Sequence, residues 1–162
     1  MARAGRPNKS DSRVDDVVFS IRKGNALEAE QLLLQVGIDA CDGYLRTALL
    51  WATFYGNPNI LRWLIDKGAN VNHQDKNGYC ALHFAGQEKQ FECAELLITK
   101  GASLELPDFH GNTPIWTALF NSKDDQRVVN LYIQNGSNLD HHNKYDKTPR
   151  QLLDTMSGYT SN

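Results

Sequence analysis

The chain has 162 residues, enough for one domain or one short array of repeats. Its hydrophobic share of 41% lies well above that of disordered chains, and its net charge of −2 creates no field that would attract nucleic acid or an anionic membrane. No apolar run is long enough to span a bilayer, and three cysteines are an odd number for a complete set of disulfides. We therefore expect a cytoplasmic location and neither a nucleic-acid nor a membrane partner.

Residues 1–13 are predicted to form a flexible arm. Arg3, Arg6 and Lys9 make it basic, and no apolar stretch follows, so the pattern does not predict a secretory signal. Two apolar helical segments come next, separated by Gly24 and ending near residue 39. They predict a first helix pair.

Four turn segments then follow at nearly constant spacing. Their first residues are Asp42, Asp75, Asp108 and Asn143. The helix-start residues, five positions later, are Thr47, Cys80, Thr113 and Thr148. Successive helix starts are 33, 33 and 35 residues apart, and the glycines at 68, 101 and 136 are 33 and 35 apart. Because two sets of landmarks drift by the same two residues, they indicate one repeated unit with a single insertion near residues 122–125.

Each unit is predicted to contain a turn, a helix, a short loop and a second helix. Proline follows Thr113 and Thr148, whose hydroxyls can accept a hydrogen bond from an unpaired amide at the helix start. The second helices, such as residues 60–65, are apolar on most sides, so neighbours must cover them on both sides. Each of these second helices precedes a glycine suited to a left-handed cap.

These landmarks, among them residues 68–72 and Thr113-Pro114, resemble those of the ankyrin-repeat family. The resemblance covers about residues 14–156 and implies an all-α helical solenoid of four to five repeats with turn or hairpin fingers. The expected repeats are about 14–41, 42–74, 75–107 and 108–142, with a partial C-terminal cap at 143–156 and a tail at 157–162. Lys89 stands where the family has a glycine between the helices, so local geometry is expected to differ there and at residues 122–125.

The resemblance also implies that a partner is contacted by the turn tips and the exposed side of each first helix. The expected contact residues are Tyr44, Arg46, Phe54, Tyr55, Lys76, Asn77, Tyr79, Gln87, Glu88, Phe109, His110, Asn112, Phe120, Asn121, Tyr145 and Lys147, with Gly43 and Lys144 beside them. Seven of these 18 positions are aromatic, against 9% of the whole chain, and clustered exposed aromatics mark interaction sites. Tyr44, Tyr79, Phe109 and Tyr145 are expected to be exposed at turn tips, whereas Phe54 and Phe120 can lie partly in the core.

Three tryptophans fall on helix faces that meet other helices and are predicted to fill the core. They are Trp51, Trp63 and Trp116.

Two constellations suggest chemistry at first sight. Cys80 and His83 have a spacing compatible with a nucleophile and its base, but both occupy helix-start landmarks, which favours packing and hydrogen bonding. The histidines at 141 and 142, with those at 73 and 110, lack the paired spacing of metal ligands. We therefore expect no catalytic residue, no metal and no cofactor.

The predicted function is protein binding, because a stack of repeats presents an extended surface instead of a closed pocket. We expect a monomer that binds one partner through an aromatic-rich concave face and masks or inhibits it. The chain is similar to the small single-array ankyrin proteins that act as immunity proteins against bacterial toxins. The alternative is an adaptor or regulatory subunit that tethers a partner without inhibiting it, for which the basic arm would supply a second contact.

Overall fold

The computed structural model describes residues 13–158, with side chains to residue 156, so the basic residues Arg3, Arg6 and Lys9 and the tail from 159 lie outside the described residues. Within that range the chain is all-α. The helices are α1 (Val14–Arg22), α2 (Ala26–Val36), α3 (Ala48–Phe54), α4 (Pro58–Asp66), α5 (Ala81–Gln87), α6 (Phe91–Thr99), α7 (Pro114–Asn121), α8 (Arg127–Gln134) and α9 (Pro149–Gly158). This order confirms the predicted helical solenoid, with four helix pairs and a last single helix.

The helices stack in two layers. The first helices α1, α3, α5, α7 and α9 contact one another in succession, and α4, α6 and α8 form a second layer behind them. Leucines from both layers are buried between the repeats, for example Leu49, Leu82 and Leu97. Tyr132 of α8 is also fully buried, and its hydroxyl donates to the carbonyl of Leu82 at 2.6 Å. The apolar second helix α6 is therefore covered on both sides, as its pattern predicted, whereas α8 contacts a second-layer neighbour, α6, on one side and leaves Ile133 exposed.

The four turns share one hydrogen-bond pattern. In the first, Asp42 Oδ1 accepts from the amides two and four residues later at 2.8 and 2.9 Å. Asp75, Asp108 and Asn143 repeat this arrangement in their own turns. Successive turns are joined by backbone bonds, from Lys76 N to Tyr44 O, Phe109 N to Asn77 O and Lys144 N to His110 O, at 2.9–3.0 Å. The turns therefore form one connected row along the stack.

The loops between and after the helices have the predicted left-handed residues. Gly68, Gly101 and Gly136 have φ of +86°, +83° and +88°, which confirms the caps of the second helices. Lys89 adopts the same conformation, with φ +58°, although it lacks a glycine's freedom. Lys123 in the insertion has φ +23°, so both loops where the sequence departs from the family keep a positive φ.

The helix starts are only partly as predicted. Thr148 Oγ1 accepts from the Gln151 amide at 3.3 Å while Gln151 Oε1 accepts from the Thr148 amide at 3.2 Å, which is a reciprocal cap. The expected cap at Thr113 is wrong, because its buried hydroxyl has no hydrogen-bond partner among the described residues. The Thr47 hydroxyl is likewise buried and has no hydrogen-bond partner among the described residues. Proline or alanine after these two threonines starts the helix without help from the hydroxyl.

Candidate protein-binding face

The row of turns and the adjoining sides of α3, α5, α7 and α9 form one surface, which we call the turn face. None of the 16 residues expected to contact a partner is buried. Phe109, Tyr44 and Tyr145 at the turn tips are exposed at 63, 63 and 65%. Phe120 of α7 is exposed at 70% and Phe54 of α3 is half-buried, which separates the two residues that were expected to lie between surface and core.

Tyr79 is the exception among the predicted turn-tip aromatics, because it is half-buried. Its position in the turn explains this result. Tyr44 and Tyr145 come two residues after the turn's first residue and point outward, whereas Tyr79 comes four residues after Asp75 and lies against α5. Its ring stacks on His83 with centroids 4.9 Å apart. Burial, the largest cause, raises the pKa of the Tyr79 hydroxyl.

The three tryptophans are half-buried, and Trp51 and Trp63 pack against the core, so the prediction that all three fill the core is confirmed only in part. Trp51 stacks on Tyr55 with centroids 5.7 Å apart and meets Phe54 edge-on at 5.6 Å. Its indole N–H donates to Asp42 Oδ2 at 3.1 Å, so the first turn holds the ring in place. Trp51 and Trp116 both line cavities of the turn face.

Arg46 lies among these rings. The centre of its guanidinium group is 5.4 Å from the Tyr44 ring, 5.2 Å from Trp51 and 5.4 Å from Phe84. Its Nε donates to Asp75 Oδ2 of the next turn at 3.1 Å. The Asp75 side chain is only 1% exposed while that of Arg46 is 24% exposed, so the arginine covers the acid and keeps part of its own surface open.

These residues line an open cavity of about 550 Å³, which we call the Arg46 pocket. Its lining residues are Arg46, Trp51, Phe54, Asp75, Asn77, Tyr79, Phe84, Gln87, Phe109 and His110. The volume falls in the range of sites that take a small ligand or one or two side chains of a partner. Five aromatic side chains, Trp51, Phe54, Tyr79, Phe84 and Phe109, therefore line one cavity together with the Arg46 guanidinium.

Two smaller clefts continue the turn face toward the C-terminus. The first, of about 150 Å³, includes Tyr79, Trp116 and Phe120, and the second, of about 290 Å³, includes Trp116, Lys147 and Leu152. Beside them the His110 and Tyr145 rings stack with centroids 6.0 Å apart, and a hydrogen bond of 3.1 Å joins His110 Nδ1 to the Tyr145 hydroxyl. The structure thus places the predicted residues along one face but gathers only some of them into the Arg46 pocket.

Three lining residues of the Arg46 pocket were not among the expected contacts: Trp51, Asp75 and Phe84. A signal for the two rings was available, because each lies three positions before an expected contact on the same helix, Phe54 or Gln87. Residues three apart share a helix face, so the 33-residue spacing from Trp51 to Phe84 marks one more position per repeat on the turn face.

Cys80 and His83 make contacts that fit a structural role. The Cys80 amide donates to His83 Nδ1 at 3.2 Å, and the opposite ring nitrogen, Nε2, is 2.9 Å from the Asn112 carbonyl. Since Nδ1 accepts, Nε2 carries the proton and donates to Asn112. Burial lowers the pKa of His83 and raises the pKa of Cys80 to about 11, so at neutral pH the thiol stays protonated.

The other histidines bind neighbouring groups of the chain. His73 Nε2 lies 2.6 Å from the Leu45 carbonyl, His141 Nε2 lies 3.0 Å from the Gly111 carbonyl, and His142 pairs with Asp146 at 2.6 Å. Over the part of the chain that the structure describes, no three histidine, cysteine or acidic side chains are grouped as metal ligands would be.

Comparison with known proteins points to one family. The model of that family, described as ankyrin repeats in three copies, matches residues 17–108 and 69–144. An ankyrin repeat protein of Rickettsia bellii (strain RML369-C) is 41% identical over 88 residues, which are 51% of this chain and 25% of that protein.

Two animal relatives carry the word inhibitor in their names. NF-kappa-B inhibitor epsilon of Homo sapiens is 30% identical over 119 residues, 67% of this chain and 23% of the relative. The inhibitor of Bruton tyrosine kinase of Mus musculus is 27% identical over 154 residues, 88% of this chain and 11% of the relative. The chain thus spans about a quarter or less of each of these three relatives.

A further observation concerns membranes: none of the helices within residues 13–158 combines the length and the apolar character that crossing a bilayer requires.

Proposed function

Because this chain belongs to the ankyrin-repeat family, we propose that its turn face binds one partner protein and masks it. Ankyrin repeats are protein–protein interaction modules, so the coarse function follows from the family. The masking role, the single partner and the choice of this face are our proposal. It rests most of all on the three exposed rings of Tyr44, Phe109 and Tyr145.

The exposed rings lie on turns whose backbones are bonded to each other. Phe109 N donates to Asn77 O and Lys144 N donates to His110 O, so the rings project from a connected row whose backbone loses little freedom on binding. Large aromatic side chains on a pre-organised surface are common hot spots, and truncating one at a good interface costs on the order of 2 kcal/mol or more.

Masking is the version of protein binding that we favour. Two relatives that share repeats with this chain carry names that describe inhibitors of other proteins. An immunity role against a toxic enzyme is one form of masking, and the turn face with its 550 Å³ pocket suits insertion of a partner residue. No catalytic role is needed, because covering a partner's working surface stops its activity by exclusion. We also propose a monomer in a reducing cytoplasm, where Cys41, Cys80 and Cys93 persist as buried thiols.

The alternative, an adaptor, is favoured by one observation at the N-terminal end of the stack. Phe19 of α1 and Leu27 and Leu34 of α2 are exposed at 57, 74 and 73%. The outer surface of a repeat at the end of a stack is normally polar. These side chains offer a second surface, and a second partner there would make the chain a tether.

Affinity capture tests the proposal. The purified chain is used as bait beside a variant with Tyr44→Ser, Phe109→Ser and Tyr145→Ser, all exposed, and a control variant with Arg62→Ala, Glu95→Ala and Asn130→Ala. The control residues are exposed at matching positions of α4, α6 and α8, on the layer away from the turns. We expect one protein to be retained by wild type and control and lost by the turn variant.

The captured protein then decides between masking and tethering. Masking predicts a one-to-one complex in which the partner's activity is abolished, and a tether predicts a ternary complex that depends on Phe19, Leu27 and Leu34. Retention by the turn variant at wild-type strength would contradict the choice of the turn face.

A further inference from the structure

The polar groups around the Arg46 pocket differ in how much of their hydrogen-bonding capacity the chain itself already uses. Asp75 Oδ1 accepts two amides and Oδ2 accepts from Arg46 Nε. Asp42 likewise accepts two amides and the Trp51 indole, and Asp108 accepts two amides and the Asn112 side chain. The acids around the pocket therefore have their oxygens engaged by N–H groups of the chain itself.

Arg46, in contrast to these acids, uses only part of its hydrogen-bonding capacity within the chain. The ion pair that the structure describes for its guanidinium uses Nε, which leaves the two terminal nitrogens to donate to a ligand. Lys76 adds a second positive charge beside the same ring, with Nζ 5.9 Å from the centroid of the Tyr44 ring that Arg46 also covers. The charged group of the pocket that still has hydrogen-bonding capacity for a ligand is thus the Arg46 guanidinium, a donor.

We infer that the Arg46 pocket takes an acidic side chain, aspartate or glutamate, of the partner protein, with an adjoining apolar residue against Phe109 and Trp51. This assignment rests on the proposed function for the existence of the partner and adds its chemistry. A planar guanidinium binds a carboxylate through two parallel hydrogen bonds, and the three rings within 5.4 Å of the Arg46 guanidinium partly shield it from water, which strengthens such bonds.

A cationic ligand fits the same cavity poorly. The faces of Tyr44, Trp51 and Phe84 that would attract a cation already carry the guanidinium of Arg46. An ammonium group would meet this fixed positive charge, and the carboxylate that could offset it, Asp75, is paired and 1% exposed. The cavity therefore selects an anion.

Small probes test the inference on the isolated chain. The probes are 3-phenylpropionate, its neutral amide 3-phenylpropionamide and the cation 3-phenylpropylamine, titrated at pH 7 while ¹H–¹⁵N NMR follows the Trp51 indole N–H and the Arg46 Nε–H. We expect the carboxylate to bind with a Kd on the order of 1–10 mM, as for a fragment, and the other two at least about tenfold more weakly. Added salt is expected to weaken carboxylate binding.

Matched variants locate the binding. Arg46→Gln is expected to weaken carboxylate binding about tenfold, and Arg46→Lys, which keeps a charge beside Asp75 and so protects the fold, is expected to weaken it also because lysine lacks the fork. Arg62→Gln removes an exposed charge from α4, on the layer away from the turns, and should leave probe binding unchanged. Equal binding of the amide, stronger binding of the amine, or wild-type affinity in Arg46→Lys would each overturn the inference.

The probes need no partner, so the two proposals fail separately. Probe binding as expected with no captured protein would leave the pocket assigned and the proposed function wrong. Capture of a partner with equal strength by wild type and Arg46→Lys, together with no selective probe binding, would keep the turn face and remove the carboxylate site.

Discussion

The two ends of the turn face are built on the same repeat and yet differ in how their rings are held. At the N-terminal end Phe54 packs edge-on against Trp51, three residues earlier, and against Phe84 of the next repeat. At the C-terminal end Phe120 follows Thr117 at the same distance and stays 70% exposed. Phe54 thus follows a ring, Trp51, on its helix and forms part of the Arg46 pocket wall, whereas Phe120 follows Thr117 and stays mostly exposed beside the 150 Å³ cleft.

The same contrast is seen in the turns that precede α3 and α9. Arg46 and Lys147 both come four residues after the first residue of their turns. Arg46 meets three rings and an acid, whereas Lys147 remains exposed beside Leu152. A cation at this position is held only where the adjoining helix supplies aromatic rings. We therefore interpret the N-terminal end as a pre-formed site and the C-terminal end as a surface of separate contacts.

The largest test of this contrast compares Trp51→Ala with Phe120→Ala. Trp51→Ala removes two ring contacts and the hydrogen bond to Asp42, and we expect it to lower the free energy of unfolding by about 2–3 kcal/mol, less than for a fully buried tryptophan. Phe120→Ala is expected to change it by less than about 0.5 kcal/mol. Urea denaturation followed by circular dichroism measures both, and similar losses would contradict the contrast.

The row of turns that links the two ends is tested by Gly78→Ala. Gly78 has φ +79°, and a Cβ there would lie 2.9 Å from the Asp108 Cα of the next turn. We expect a loss of unfolding free energy of about 2 kcal/mol from left-handed strain and this backbone clash. Gly43→Ala is the control, since nothing lies within 4 Å of its Cβ position. Thermal denaturation distinguishes them, and a neutral Gly78→Ala would mean that the turns are not tightly joined.

The helix starts differ between α7 and α9, and two threonine variants sharpen that difference. Thr148→Ala removes the reciprocal cap with Gln151 and is expected to cost about 1 kcal/mol of unfolding free energy. Thr113→Val replaces a buried hydroxyl that has no partner among the described residues, so we expect no loss or a slight gain. Equal losses in urea denaturation would show that Thr113 forms a cap after all.

The smallest expected effect concerns pH at the start of α5, behind the Arg46 pocket. Burial lowers the pKa of His83 below the value of 6.5 that it has when unfolded, so the unfolded chain binds a proton more readily. Neutral His83 therefore contributes to the free energy of unfolding above pH 6.5, and this contribution is lost as the pH falls toward the pKa of the folded state. We expect the loss between pH 7 and 5.5 to be at most about 1 kcal/mol. His83→Gln should remove this part of the pH dependence of unfolding, and an unchanged slope would contradict it.

Much of the fold could be predicted from local signals. The turns, the glycine caps and the helix starts recur at 33 or 35 residues, and each is stabilised by groups within about five residues of one another. The exposure of Tyr44, Phe109 and Tyr145 followed from their positions in the turns. The prediction of a cap at Thr113 failed because a hydroxyl caps a helix only if the side-chain rotamer directs the oxygen toward an amide at the helix start.

The amino-acid sequence by itself therefore determined the repeat, the solenoid and the row of residues that faces outward, because these depend on local geometry and on one period. Only the tertiary structure decided that Arg46, Trp51, Tyr79 and Phe84 form a pocket. The contacts that join one repeat to the next in this pocket, such as Arg46 with Asp75 and Phe54 with Phe84, link residues 29 or more positions apart and depend on how far one repeat is displaced from the next. Side-chain direction at such a junction is set by packing between repeats, which no single turn or helix records.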